Sequence, residues 1–340
     1  MPSFVEVPSA PTEPTIPKLA YAQVPETQHD LDWADLVTLD LARFDEPGGK
    51  ETLARQLFEA LQTIGFFYII NFGLDQEEVD RQFAIGKAVF DLPTEEKLLY
   101  RADLENGGYN GYKPLGLREI KPGIFDNTEI FNIPKFIPAF ERRQPEVINA
   151  SRAEIEHFAR HIHHSIVHKL LVLFAIVLEL SDENYFSNSH RYDEKSDCHL
   201  RYMKYHRRSS EENEALDNKW VRPHPGTITV NVADALEMLT NGFLKSSIHR
   251  VVVPPPDQRG ADRLGVLYFV RPEDDLELRP VRSPVLERLG YDKVQEDVVG
   301  VTAGAWVKAR VRAGVNRNGK TRSEASEQEI IGGRVAKFYD

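Results

Sequence analysis

A single cysteine, Cys198, stands in 340 residues, so no internal disulfide can brace the fold and the chain suits a reducing compartment. No apolar run approaches the ~20 residues needed to cross a bilayer. The first thirty residues carry no apolar signal region and instead scatter Pro2, Pro8, Pro11, Pro14, Pro17 and Pro25, which predicts an extended leading arm. Positive charge is also short. The chain has 42 Lys and Arg against 53 Asp and Glu, a net charge of −11, so no global field gathers phosphate backbones or anionic lipid. These absences exclude nucleic acid and membrane as expected partners and point to a cytoplasmic protein. Oligomeric state is not written in any of them. What is plentiful is core material, with 41% hydrophobic residues in a chain long enough to bury a full-sized interior.

The pattern begins with a short strand over Leu36 to Leu41 and a Glu46-Pro47-Gly48-Gly49 turn. Leu53, Leu57, Leu61 and Ile64 then keep helical spacing until Gly65. Gly65 to Gly73 is an apolar, aromatic run with glycine at both ends, as a buried strand would be. Asp75 and Glu78 have the spacing of a capping box for a helix running toward Phe90 and stopping before Pro93, and Thr94 to Lys97 opens another short helix. Gly107 to Pro138 lacks helical period and reads as loops and short strands. Ser151-x-x-Glu154 is placed to cap the longest helix, whose stripe is Ile155, Phe158, Ile162, Ile166, Leu170, Leu173 and Val177.

Beyond Cys198 the character turns to strands: His199 to His206, Thr227 to Val232, Ile248 to Pro254 and Arg263 to Pro272. Helices first and strands later predict an α+β chain whose β part closes on itself. Two segments in that half carry chemistry. Asn231 to Glu237, Thr240-Asn241-Gly242 and Ser246-Ser247-Ile248-His249-Arg250-Val251 form one, followed 14 residues after His249 by Arg263-Leu264-Gly265. His199-Leu200-Arg201-Tyr202-Met203-Lys204-Tyr205 forms the other. Together they resemble the Fe(II)/2-oxoglutarate-dependent dioxygenases of the isopenicillin-N-synthase-like group. Gly65 to Gly73, Tyr109-Asn110-Gly111-Tyr112 and Asn132 to Phe136 extend the likeness to roughly residues 36 to 310.

The resemblance implies a helical N-terminal region packed on a double-stranded β-helix, or jelly-roll, core. It implies Fe(II) as metal, with 2-oxoglutarate, O2 and a small organic molecule as partners. His249 would be one metal ligand, Arg263 the clamp on the distal carboxylate of 2-oxoglutarate, and Tyr205 its helper; Phe125, Phe131 and the C-terminal segment would wall the substrate. The expected chemistry is oxidation of a small metabolite by hydroxylation, desaturation or ring closure as 2-oxoglutarate becomes succinate. The implied organisation is an arm over 1–33, an N-terminal dioxygenase region over 34–145, the oxygenase domain over 146–310 and a basic tail over 311–340.

One departure bears on activity. Iron of this type needs two histidines and a carboxylate, and the family supplies two of the three as His-x-Asp or His-x-Glu. None of the eleven histidines here begins such a motif. Tyr205 runs through Arg207 to Asn218 straight into Lys219-Trp220-Val221, so the chain reads as short by about two strands, on the order of 15 to 30 residues, near Asn218–Lys219. His206, Asp217 and His224 are the nearest substitutes, and the plainer role for each is a buried or turn-anchoring one. Gly265 replaces the family's carboxylate-binding serine. The rival expectation is therefore a catalytically silent jelly-roll remnant or a truncated product.

Three further features have plain readings. His157, His161, His164 and His168 step by four, three and four opposite the apolar stripe, as an outward polar face would, with surface metal chelation the alternative. Lys308, Arg310, Arg312, Arg317, Lys320 and Arg322 read as a solvated helix face, with steering of an anionic substrate the alternative. Cys198 reads as a small buried hydrophobe.

Overall fold

The computed structural model of the protein describes residues 19–63, 65–117, 119–121, 124–207, 224–247, 249, 254–293, 300–315 and 326–338. Strand β1 (Val37–Asp40) and helix α1 (Gly49–Thr63) lead into β2 (Phe66–Ile70), which pairs parallel with β1. Leu53, Leu57 and Ala60 form the fully buried stripe of α1. The positive φ of 53° at Asn71 ends β2, three residues earlier than the apolar run suggested. Helix α2 (Gln76–Asp91) carries the expected capping box: Asp75 accepts from the Glu78 amide and Glu78 accepts from the Asp75 amide. Helix α3 (Thr94–Leu98) follows.

The region expected to be mostly loops holds β3 (Gly111–Lys113), the small antiparallel pair β4 (Glu119–Lys121) and β5 (Ile124–Phe125), and the seven-residue strand β6 (Thr128–Pro134). Helices α4 (Glu146–Ala150) and α5 (Arg152–His161), a π-helical segment over 162–167, and α6 (His168–Val177) then form one helical run. Ser151 does not cap it through its side chain. The turn of α4 runs directly into α5, leaving Ser151 at the joint with its Oγ buried and its carbonyl accepting from the Ile155 amide.

Strand β7 (His199–Tyr205) is followed by β8 (Ile228–Asn231), α7 (Asp234–Leu239), β9 (Arg263–Phe269), α8 (Pro284–Leu289), α9 (Ala303–Val315) and the hairpin β10 (Ser326–Ile331) and β11 (Arg334–Phe338). The expected tail over 311–340 thus contains the end of a helix and a hairpin. The described strands make a three-stranded sheet, β1-β2-β8, and an antiparallel four-stranded sheet, β3-β6-β7-β9. The mixed α+β content is as expected. The junction proposed at Asn218–Lys219 lies outside the described residues.

Alternation along the four-stranded sheet decides where chemistry can sit. On one face Phe131, Ile133, Leu200 and Tyr202 are buried in the core. Tyr202 Oη donates to Gln82 Oε1 of α2 at 2.8 Å, and a Cβ on Gly86 would stand 3.0 Å from the Tyr202 ring, so glycine lets α2 lie close. This corrects the expectation for Phe131: with no exposure it belongs to the helix-packed side and cannot wall a substrate. Phe125 is 53% exposed. The opposite face carries His199, Arg201, Met203 and Tyr205 from β7, with Arg263, Gly265, Leu267 and Phe269 directly across from them on β9.

On the long helical run His157, His164 and His168 are exposed as expected, but His161 is half-buried with Nε2 2.8 Å from the Phe72 carbonyl. The π segment widens the helical turn here and rotates His163 inward. Its ring is buried, with Nε2 2.6 Å from the His190 carbonyl and Nδ1 3.0 Å from Tyr268 Oη. Cys198 is buried, its Sγ donating to the Arg271 carbonyl. No helix among the described residues is long and apolar enough to cross a membrane.

Candidate cosubstrate and metal site

Tyr205 and Arg263 end their strands as direct partners in the ladder, with the guanidinium 5.4 Å from the phenol ring centroid. Arg263 is exposed and free to bond a ligand; Tyr205 is half-buried, and burial holds its phenol above the ordinary range despite the Arg263 charge. The pair presents a cationic fork and a neutral hydroxyl side by side, a suitable grip for a carboxylate. Gly265 lies on the same face one alternation away, opposite Met203.

His249 sits on a short segment pinned to the other sheet. The Ser247 amide donates to the Val232 carbonyl at 3.0 Å, and Ser247 Oγ donates to the Gly65 carbonyl at 2.8 Å. His249 Nδ1 lies 2.8 Å from the Ser247 carbonyl, and a carbonyl only accepts, so Nδ1 is the donor, and in the neutral ring Nε2 is the nitrogen with the lone pair. The ring meets Phe66 edge-on at 5.1 Å and is exposed. An imidazole oriented by a backbone carbonyl is how metal-binding histidines are commonly held. The strand expected over Ile248 to Pro254 falls mostly outside the described residues.

One imidazole is all the described residues offer to iron. Among them no three His, Cys, Asp or Glu side chains gather as a metal site. The substitutes weighed from sequence do not fill the gap. His206 is committed elsewhere, its Nε2 2.7 Å from Glu129 Oε2; His224 packs edge-on against Tyr68 at 5.2 Å; Asp217 lies outside the described residues. The described residues therefore do not complete an iron site.

Two clusters went unread in the sequence. Glu129 is buried among Lys97, whose Nζ donates at 2.7 Å, Tyr112 and His206. Burial pushes the Glu129 carboxyl up, but the hydrogen bonds from Lys97, Tyr112 and His206 outweigh it and hold the group below its ordinary range. No local pattern joins Lys97 to Glu129. The second cluster surrounds Arg201, and here a signal was available: alternation along His199 to Tyr205 places Arg201 on the same face as Tyr205.

Residues 36–153 match the model of the non-haem dioxygenase N-terminal region, named for morphine synthesis, and residues 184–272 match that of the 2OG-Fe(II) oxygenase superfamily. A UPF0676 protein of Schizosaccharomyces pombe is 28% identical over 76% of this chain and 87% of its own length. The 2-oxoglutarate-dependent dioxygenase frbH of a Dothideomycetidae species is 26% identical over 80% and 92%. Among solved structures, a 2OG-Fe(II) oxygenase family protein from Caulobacter crescentus overlays with a TM-score of 0.66 at 22% identity, covering 82% of this chain and 98% of that one. A full-length Neurospora crassa protein crystallised in complex with α-ketoglutarate gives 0.66 at 21% identity over 85% and 99%. With both family models matched in order and relatives covered nearly end to end, the chain belongs to the Fe(II)/2-oxoglutarate oxygenase superfamily, whose cofactors are Fe(II) and 2-oxoglutarate.

Proposed function

We propose that the chain is a 2-oxoglutarate-dependent oxygenase of small organic metabolites in which Arg263 and Tyr205 hold the distal carboxylate of 2-oxoglutarate. The observation that carries this is the Tyr205–Arg263 pair, side by side on the sheet face turned away from α2. Arg263 supplies charge and two parallel N–H donors; Tyr205 supplies one O–H donor and a ring that limits where the guanidinium can swing. His249, with its proton fixed on Nδ1, is the imidazole available to a metal. In the superfamily, iron supplies the activation of O2. The product classes are those of hydroxylation, desaturation or ring closure.

A second reading has a specific observation behind it. No His-x-Asp or His-x-Glu occurs in the sequence, and the described residues hold one candidate iron ligand. On that reading the chain binds 2-oxoglutarate without turning it over. Aerobic incubation with Fe(II) and 2-oxoglutarate separates the two. Succinate that appears with Fe(II) and disappears in His249→Ala supports the oxygenase; retained 2-oxoglutarate binding with no succinate leaves the silent binder.

A further inference from the structure

Arg201 is a buried cation with no ion-paired acid among the described residues. It is 6% exposed, and its guanidinium lies between two rings, 4.2 Å from the Phe269 centroid and 4.8 Å from that of Tyr109. Nε donates to Asn132 Oδ1 at 2.8 Å, and Asn132 is held in turn by donating from Nδ2 to the Tyr109 carbonyl at 2.7 Å. Nη2 reaches His199 Nε2 at 3.4 Å; the other ring nitrogen, Nδ1, donates to the Asp197 carbonyl at 2.8 Å, so Nε2 is the accepting one. None of these partners carries a negative charge. Among the described residues no carboxylate stands within ion-pair distance of Arg201.

An arginine kept this dry is costly unless something anionic meets it. The surroundings register the uncompensated charge. The charge of Arg201, aided by its hydrogen bond, holds the Tyr109 phenol below its ordinary range, and burial followed by the charges of Arg201 and Arg271 drives His199 well below its own. Asp197, the acid closest in sequence, feels the charges of Arg271 and Arg201 but forms no ion pair with Arg201: one of its carboxylate oxygens is buried without a hydrogen-bond partner, and burial outweighs those charges and raises the group to about 6.

Position adds the rest. Arg201 and Tyr205 share a strand face four residues apart, about 13 Å at the rise of an extended chain. That separation sets Arg201 two alternations from the Tyr205–Arg263 clamp, a second anchor point on the same face. We propose that Arg201 anchors a carboxylate on the organic substrate, making the substrate an organic acid bound on the same sheet face as 2-oxoglutarate but apart from it. The inference rests on the reading that this face houses 2-oxoglutarate. The two rings fix the guanidinium plane and Asn132 fixes its rotation. The Nη edge, where His199 Nε2 stands at a loose 3.4 Å beside the Tyr109 hydroxyl, would then meet the carboxylate with planar N–H donors that a lysine could not supply.

The test is calorimetric, on the full chain, with three acids and their amides as probes: benzoate and benzamide, phenylacetate and phenylacetamide, cinnamate and cinnamamide, each with and without 2-oxoglutarate. At least one acid is expected to bind tenfold tighter than its amide. Arg201→Gln should erase that preference while leaving 2-oxoglutarate affinity within twofold, and Arg263→Gln should do the reverse. Because Arg201→Gln strips a partner from Asn132 and can unfold the chain, the Arg201 Nε–H resonance of the unaltered protein is followed as well, and the acid but not the amide should shift it. The inference fails if no acid is preferred, if the preference survives in Arg201→Gln, if the resonance stays put, or if Arg201→Gln weakens 2-oxoglutarate as much as the acid. Acid preference without any 2-oxoglutarate binding would instead overturn the cosubstrate reading.

Discussion

Tyr205 and Arg263 face each other across the β7–β9 ladder, the guanidinium carbon 5.4 Å from the ring centroid, with Arg263 exposed. Removing the fork should therefore matter more than removing the hydroxyl. Arg263→Gln is expected to cost about 2–3 kcal/mol in 2-oxoglutarate binding, Arg263→Lys part of that, and Tyr205→Phe about 1 kcal/mol. Equilibrium titration of each variant checks the order; Tyr205→Phe proving worse than Arg263→Gln would reverse the assignment.

Gly265 offers a gain-of-affinity test. It shares the face of Arg263 one alternation along β9, its φ is ordinary for an L-residue, and a Cβ there would meet Leu267 Cδ1 at 3.3 Å and the Met203 carbonyl oxygen at 3.9 Å. Gly265→Ser should add a hydroxyl donor beside the clamp and tighten 2-oxoglutarate several-fold, about 1 kcal/mol. Unchanged or weaker binding would mean that the carboxylate does not reach this position.

The Glu129 cluster is structural, and breaking it should show in stability. Lys97 and Glu129 are both almost wholly buried, so Glu129→Gln strands a buried ammonium and is expected to cost about 3 kcal/mol. Urea unfolding measures it, and a loss under about 1 kcal/mol would contradict the network's role.

Two buried histidines set an acid limit. Burial lowers both His163 and His190 to about 4 from an ordinary 6.5. Between those values the unfolded chain binds protons that the folded chain refuses, so their contribution is complete above pH 6.5, declines as pH falls, and is gone near pH 4. Each group is worth up to about 3 kcal/mol by this route. The unfolding midpoint should drop over that interval, less steeply in His163→Asn; an identical pH slope in the variant would contradict the assignment.

Local signals were legible and long-range ones were not. The Asp75–Glu78 capping box formed where expected, and the strand expected over His199 to His206 formed one residue shorter; the α1 stripe kept Leu53 and Leu57 but took Ala60 in place of Leu61, which is only partly buried, while Ile64 lies outside the described residues. Ser151 failed as a cap because a preceding turn, α4, fed straight into α5. Phe131 was assigned to the substrate wall because aromatic character alone does not say which face of β6 it takes; only the packing of α2 decides that. The inward turn of His163 required a π segment that periodicity at 3.6 cannot announce. Of the site, Arg263 and Tyr205 were readable one strand at a time, whereas the lack of an ion-paired acid for Arg201 among the described residues is a fact of three dimensions.

The central claim is that Arg263 and Tyr205 recognise the distal carboxylate of 2-oxoglutarate, and the most direct test compares 2-oxoglutarate with 2-oxopentanoate, a keto acid of the same length without that carboxylate. Calorimetric titration of the full chain should show 2-oxoglutarate bound at least tenfold tighter, with the difference abolished in Arg263→Gln. Equal affinity for the two, or a difference that persists in Arg263→Gln, would contradict the account.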